Sequence, residues 1–304
     1  MKATKKIALT AKQKGAVVTL GNFDGIHIGH RQILGKVAER AKAQRLKSIV
    51  YTFEPHPLKV VAPHKSPQLI LDKEDKEAVI KSLGISSVVF ARFTRQFASK
   101  HPRQFVEEAL VKGLSAKEVW VGSEFSFGRE RLGTFEYLKI LGHEFGFKAF
   151  AITPVKRGGE VVSSSRIRAL IKAGEVKKAG ALLGANYRVK GVVVKGRALG
   201  KEIGFPTANL KITSEILPHD GVYAAYALVN KKKYNAVVNI GVAPTLGEKP
   251  LTIEAHIMGF KRKIYNERIV LEFIKRLRDE KRFNGIDALA SQIKKDIAMA
   301  GRCF

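Results

Sequence analysis

The chain has 304 residues, room for two domains at roughly 100–200 residues each, and 45% of them are apolar. That composition excludes a wholly disordered or collagen-like chain, and no run approaches the roughly 20 apolar residues needed to cross a bilayer. The 55 basic against 27 acidic side chains give a net charge of +28, with 33 against 16 in residues 1–184 and 22 against 11 in residues 185–304. An excess spread this evenly reads as a solvated basic surface rather than a dedicated binding block. Cys303 is the only cysteine, so an intrachain disulfide and a cysteine-based zinc site are excluded, which fits a reducing, cytoplasmic setting. The lysine-rich start, residues 1–14, lacks the apolar core of a secretory signal and reads as a basic arm.

From residue 16 short apolar runs alternate with segments of helical period. Ala16–Leu20 reads as a buried strand, and Gly29–Leu46 as a helix with Ile33, Leu34, Val37, Ala38 and Ala41 on one face. Ser48–Phe53 is the next strand, and a helix runs from Asp72, a good N-cap, to Gly84, a good stop. Strands follow at Ser87–Phe90, Glu118–Val121 and Lys148–Thr153, with helices beginning near Pro102 and Thr134. Such alternation predicts a doubly wound parallel α/β sheet, which binds ligands outside the carboxyl ends of its strands.

Ser163–Leu183 reads as two short helices, after which the style changes. Tyr187–Lys195, Gly221–Val229, Tyr234–Ile240, Leu251–Met258 and Ile264–Ile274 read as strands, with a hairpin turn at Asn230–Lys233. A helix at Gly285–Met299 closes the chain, its Ile286, Leu289, Ile293 and Ile297 at helical spacing. The expected architecture is the α/β domain over residues 1–184, then a small antiparallel β-barrel with a C-terminal helix over 185–304.

The segment Gly21-Asn22-Phe23-Asp24-Gly25-Ile26-His27-Ile28-Gly29-His30 falls where the first strand feeds the first helix. Glycines there let backbone approach a ligand, and the helix start offers unpaired N–H groups and a positive dipole. Two histidines three apart can face one phosphate, as nucleotidyl transfer requires while charge grows on the α-phosphate and on departing pyrophosphate. No acidic or histidine cluster completes a metal site around them.

In the second half, Gly191 to Gly196 and then Gly200-Lys201-Glu202-Ile203-Gly204-Phe205-Pro206-Thr207-Ala208-Asn209 combine closely spaced glycines with two neutral side-chain oxygens. Glycines after a strand open a lobe for phosphates, and Thr207 with Asn209 suits a magnesium ion still partly hydrated by water and ATP. Turns in a small barrel explain the glycines equally well.

These segments together resemble the bacterial bifunctional riboflavin kinase/FAD synthetase (FMN adenylyltransferase) family, over roughly residues 16–300. H-x-G-H is shared by many adenylyl and cytidylyl transferases; the longer G-x-F-D-G-x-H-x-G-H is similar to this family's first motif. Phe53-Glu54-Pro55-His56-Pro57 resembles its flavin-side loop. Gly122-Ser123-Glu124-Phe125-Ser126-Phe127-Gly128 resembles the family's G-x-[Asn/Asp]-F-x-F-G element, whose two phenylalanines in this chain are suited to flank an isoalloxazine ring, though Glu124 stands where the family usually shows Asn or Asp. Ser163-Ser164-Ser165-Arg166-Ile167-Arg168 resembles its pyrophosphate signature, and Gly204–Asn209 its kinase signature. Gly221–Ala224, Asn239–Thr245, Glu254-Ala255-His256 and Arg278 match the same module in order.

The resemblance implies riboflavin, FMN and ATP as substrates, with Mg²⁺. It makes His27, His30 and Arg168 catalytic in adenylyl transfer and Glu254 the base for the flavin 5′-hydroxyl. Nucleotide contacts fall on Gly21, Phe23, Asp24, Gly25, Gly29, Ser164, Ser165, Gly196, Gly204 and Pro206. Flavin contacts fall on Phe53, Pro55, Pro57, Glu124, Phe125 and Phe127, with Arg278 facing flavin phosphate or nucleotide. Metal contacts fall on Thr207 and Asn209. Two rivals fit less well. Another adenylyltransferase with an unrelated barrel leaves Gly204–Asn209 and Glu254 unexplained. A basic RNA-binding protein would interleave basic residues with aromatics, and aromatics are only 8% with no such run.

Overall fold

The computed structural model describes residues 15–196, 199–242 and 251–304; the basic arm and Ala243–Thr245 of the Asn239 element lie outside them. The chain divides into two compact units, residues 1–67 with 73–161 and residues 68–72 with 162–304.

The first unit carries β1 (Ala16–Leu20), α1 (Ile28–Gln44), β2 (Lys47–Glu54), α2 (Pro57–Val61), α3 (Lys73–Ser82), β3 (Ser87–Arg92), α4 (Arg95–Ala98) and α5 (Pro102–Phe105). α5 runs on as a π-helical stretch, Val106–Gly113, before β4 (Ala116–Gly122), α6 (Phe135–Phe145) and β5 (Lys148–Ile152). All five strands are parallel, in the order β3-β2-β1-β4-β5. β1 is central and buried along its whole length, which is why it reads as a continuous apolar run. Strand order reverses between β1 and β4, so their carboxyl ends form the switch point where such sheets bind ligands. α1 is pinned to β4 by Arg40 and Gln44, both donating to the buried Glu118 carboxylate, which Trp120 also approaches at 2.9 Å. A short hairpin, β6 (Lys156–Arg157) and β7 (Glu160–Val161), turns on Gly158-Gly159, both at positive φ; the sequence reading did not foresee it.

The second unit begins with α7 (Ser164–Lys172) and α8 (Val176–Leu183), followed by β8 (Tyr187–Val194), α9 (Leu199–Glu202) and β9 (Ala208–Ile212). Then come β10 (Gly221–Val229), β11 (Lys232–Val242), β12 (Leu251–Ile257), β13 (Arg268–Arg278) and α10 (Ile286–Gly301). The six strands close into an antiparallel barrel in the order β10-β11-β12-β9-β8-β13. Its hairpin turn at Asn230-Lys231 has both residues at positive φ (48° and 66°), the twist that a two-residue hairpin prefers. β9 was not foreseen, because Pro206 and the surrounding turn residues hide a short strand behind a loop signature. β13 starts at Arg268, since Asn266, at φ 65°, turns the chain just before it.

The compact units part between Val161 and Val162, ahead of the change in strand style at Gly184–Tyr187. The cause is burial: Ile167, Ile171, Val176, Ala179, Leu182 and Leu183 are all at most 4% exposed, and α8 packs on β8 and β13. Gln68–Asp72 belongs with them: Gln68 and Leu69 donate to Glu215 at 2.7 and 2.8 Å, and Lys190 pairs with Asp72 at 2.9 Å. No helix among the described residues is long and apolar enough to cross a membrane.

Candidate functional sites

In the first unit the chain leaves β1 at Leu20 and enters α1 at Ile28, with Phe23, Gly25 and Ile26 all at positive φ (48°, 78° and 44°). Only glycine takes that region freely; Phe23 and Ile26 are held in it by side chains 2% and 0% exposed. The strained loop delivers His27 as the N-cap of α1, its Nδ1 accepting the His30 amide at 3.3 Å. Nδ1 being an acceptor, Nε2 carries the proton of the neutral ring. The two imidazoles stack at 3.7 Å between centroids, 16° from parallel, and Phe23 meets His30 edge-on at 5.1 Å. A side chain on Gly29 would press on the His27 ring at 3.3 Å.

Burial pushes His27 down to about 4, against a smaller upward pull from Asp24. His30 lies well below the ordinary imidazole range, first through burial, then through His27 and Lys76. Its Nδ1 is buried with no hydrogen-bond partner among the described residues, so charging the ring would strand a second N–H. Both rings are therefore neutral at pH 7. Neutral rings still donate an N–H to a phosphate oxygen, without the cost of a buried charge.

Beside this loop, Phe53 at the end of β2 packs edge-on against Tyr51 and Phe93 at 5.7 and 5.4 Å. Pro55 follows a cis peptide bond, and Pro57 opens α2 with the buried His56 as its cap. Past β4, Phe125 and Phe127 stack on each other at 5.6 Å, and Phe127 leans on Phe105 at 5.8 Å. The two rings touch each other here rather than standing apart around a third. Glu124 is exposed next to them. Ser164, Ser165 and Arg168 lie on α7 in the second unit, where Ser163 caps the helix and Arg168 Nε donates to the Gln68 carbonyl at 2.8 Å.

The sequence reading missed Lys76. It lies on α3, is 4% exposed, and donates from Nζ to the Asn22 carbonyl at 2.9 Å. Its signal was a lysine four residues before Ile80, on the face the helix buries.

In the barrel unit a cavity of about 630 Å³ opens on the outer face of the barrel wall. Along β12 the odd positions Ile253, Ala255 and Ile257 are buried, while the alternate Thr252, Glu254 and His256 line the cavity, with Ile253 also reaching it. Strand register sets Asn239, Glu254 and Asn209 side by side across β11, β12 and β9. Thr207 Oγ1 reaches Glu254 Oε2 at 3.4 Å, and His256 Nδ1 donates to the Pro206 carbonyl at 2.9 Å. Thus Thr207, Asn209 and Glu254, singled out separately, converge. Gly196 packs beside them: a Cβ there would run into the Asn209 side-chain amide and force it to shift. Gly204 is at φ 85° in the turn before β9.

Arg278 lines the same cavity, and its guanidinium is already engaged. Nε and Nη2 both donate to Asp296, with Nη2 at 2.7 Å from Oδ2. Asp296, 2% exposed and also held by Gln292 at 2.9 Å, is the second residue that sequence reading missed. Its signal was an acidic residue three places after Ile293 on the apolar side of the terminal helix. Apolar Val222, Val237, Leu289 and Ile293 line the other wall. Among the described residues no group of three His, Cys, Asp or Glu is arranged to hold a metal ion.

A parallel sheet with a histidine pair at its switch point, together with a barrel that sets a carboxylate among neutral oxygens, fits the class of phosphate-transferring enzymes. The comparisons particularise that class. A family model for FAD synthetase matches residues 9–166, and one for riboflavin kinase matches residues 183–304. A bifunctional riboflavin kinase/FMN adenylyltransferase from Bacillus subtilis is 38% identical over 96% of this chain and 94% of its own length. One of the same description from Escherichia coli K12 is 35% identical over 97% and 94%. A crystal structure described as a macrolide-efflux protein from Streptococcus pneumoniae matches with a TM-score of 0.86 at 32% identity, covering 94% of this chain and 93% of that one. The chain belongs to the bifunctional riboflavin kinase/FMN adenylyltransferase family.

Proposed function

We propose that this chain makes FMN and then FAD, phosphorylating riboflavin in the barrel and adenylylating FMN at the sheet. The observation that carries the reading is the landing of the two motif sets: His27 and His30 stack at the end of β1, and Thr207, Asn209 and Glu254 converge in the barrel cavity.

In the kinase step the riboflavin 5′-hydroxyl oxygen bonds to the γ-phosphorus of ATP, the bond to the β-phosphate oxygen breaks, and ADP leaves. Glu254 accepts the hydroxyl proton; a carboxylate in hydrogen-bond reach is suited to this. Asn239 beside it in register, and His256 through Pro206, keep Glu254 and Thr207 together. The apolar wall of Val222, Val237, Leu289 and Ile293 suits a flavin ring, and Arg278, fixed by Asp296, faces its phosphate or the nucleotide. Thr207 and Asn209 fit Mg²⁺ as neutral oxygen donors beside Glu254 and would hold it with the phosphates, where it supplies charge neutralisation. Gly196, Gly204 and Pro206 shape the loop against the nucleotide.

In the adenylyl step an FMN phosphate oxygen bonds to the α-phosphorus of a second ATP and pyrophosphate leaves, with no covalent enzyme intermediate. His27 and His30 donate N–H groups to the phosphate as its charge grows. Gly21, Phe23, Asp24, Gly25 and Gly29 form the loop that lets backbone reach the nucleotide. Phe53, Pro55, Pro57, Phe125 and Phe127 take the flavin side, with Glu124 at its edge. The α7 residues Ser164, Ser165 and Arg168 keep the nucleotide role that the resemblance gives them. The setting is the cytoplasm, in keeping with one unpaired cysteine.

The test is direct: incubate the protein with riboflavin, ATP and Mg²⁺ and separate the flavins by chromatography. Both FMN and FAD are expected, and absence of both would overturn the reading.

A further inference from the structure

Lys76 is a buried cation of the first unit to which the chemistry above gives no task. A lysine is almost never fully buried unless paired, and this one is 4% exposed. Its Nζ donates to the Asn22 carbonyl at 2.9 Å, and the same carbonyl accepts Thr52 Oγ1 at 3.2 Å. Asn22 stands between Gly21 and the strained Phe23, so α3 and β2 together grip the loop that presents His27 and His30.

The ammonium sits in a charged neighbourhood drawn from several elements. Asp24 on the loop and Glu54 on β2 favour its charge, while burial, the larger effect, lowers Lys76 from the ordinary lysine range. It also acts on His30 across the loop, in the same direction as His27 does.

We propose that Lys76 is a positioning residue for adenylyl transfer, whose buried ammonium fixes the β1–α1 loop through Asn22 and keeps positive charge off the histidine pair. It does not touch substrate, being sealed from solvent. The proposal rests on the assignment of adenylyl transfer to His27 and His30. Two neutral imidazoles face the growing charge on the phosphate in one protonation state, and the nearby cation adds to burial in holding His30 in it as the pH falls. Asp24 pulls the other way on His27, so removing the ammonium takes away one of the two cationic influences that oppose protonation of His30.

The experiment compares Lys76→Gln with Lys76→Arg in the full chain. Glutamine keeps an N–H donor for the Asn22 carbonyl and removes the charge; arginine keeps the charge. FAD formation from supplied FMN is followed from pH 3 to pH 8, and over the same range the His30 ring is titrated by proton NMR, with His30→Ala to identify its signal. Circular dichroism and thermal melting of the full chain report folding of each variant; FMN formation from riboflavin reports only that the barrel unit is intact. In Lys76→Gln the acid limb of the FAD profile and the His30 titration are both expected to move toward neutral pH; in Lys76→Arg both should stay near wild type. Unmoved profiles in a Lys76→Gln protein that folds and melts as wild type does, or equal displacement in both variants, would overturn the proposal. Should Lys76→Gln fail to fold, the NMR titration of Lys76→Arg decides: a His30 titration displaced toward neutral pH would overturn it. Failure of the wild-type chain to form FAD at all would instead strike the underlying assignment, and the NMR titration would still decide whether Lys76 governs His30.

Discussion

In the first unit the side chains proposed to react are buried or partly buried and uncharged, whereas in the barrel they are half-exposed and include a carboxylate. Local chain geometry builds the first site: one strained loop and one helix start place His27 and His30 three residues apart. Long-range register builds the second: Asn209, Asn239 and Glu254 come from three strands and meet because β9, β11 and β12 pair in one way. A one-residue slip would turn Glu254 from the cavity into the barrel core. The first site is therefore set by burial and the second by pairing, and perturbations should act on them differently.

The largest expected separation comes from Glu254→Gln, which keeps shape and hydrogen bonding. FMN formation from riboflavin should fall by about 10²–10⁴, with FAD formation from supplied FMN intact. A near-native kinase rate would make Glu254 a structural residue of β12. His30→Ala should do the reverse: FAD formation falls by about 10²–10³ and FMN formation is spared. Equal loss of both in a folded protein would erase the distinction between the sites.

Stability should split along the same line. Asp296→Ala strands the Arg278 guanidinium beneath α10, and loss of one partner of a buried pair typically costs about 3–5 kcal/mol. Thermal melting should show the loss together with a weakened kinase; an unchanged melt would mean that Asp296 holds nothing in place. Acid should instead strike the histidine loop. His27 titrates at about 4 folded and 6.5 unfolded, so between those values the unfolded chain binds more protons. Its contribution is present above pH 6.5 and is lost as pH falls toward 4, amounting to about 3 kcal/mol. His27→Asn should flatten the acid dependence of melting in that window, and an unaltered dependence would contradict the buried neutral ring.

The same contrast explains what the sequence disclosed. Signals carried by neighbours in the chain were legible: the buried run of β1, the alternation that yields the parallel sheet, the His27–His30 spacing and the glycines around it. The convergence of Thr207, Asn209 and Glu254 was recoverable only as a resemblance, because strand register is invisible in one sequence. β9 was lost behind Pro206, whose turn character masks five residues of strand. Lys76 and Asp296 were passed over for one reason: each occupies a core-facing helical position, where charge reads as an irregularity in an apolar face. The helices α7 and α8 read as the end of the first domain, because sequence proximity says nothing about which core receives Ile167, Ile171 and Leu182.

The claim of two independent sites is tested most directly by mixing two defective proteins. Supplied with riboflavin, ATP and Mg²⁺, His30→Ala should stop at FMN and Glu254→Gln should leave riboflavin nearly untouched. An equimolar mixture of the two should make FAD, because FMN released by the first protein is the substrate of the second. A mixture that accumulates FMN without FAD, although Glu254→Gln alone converts supplied FMN to FAD, would contradict the account.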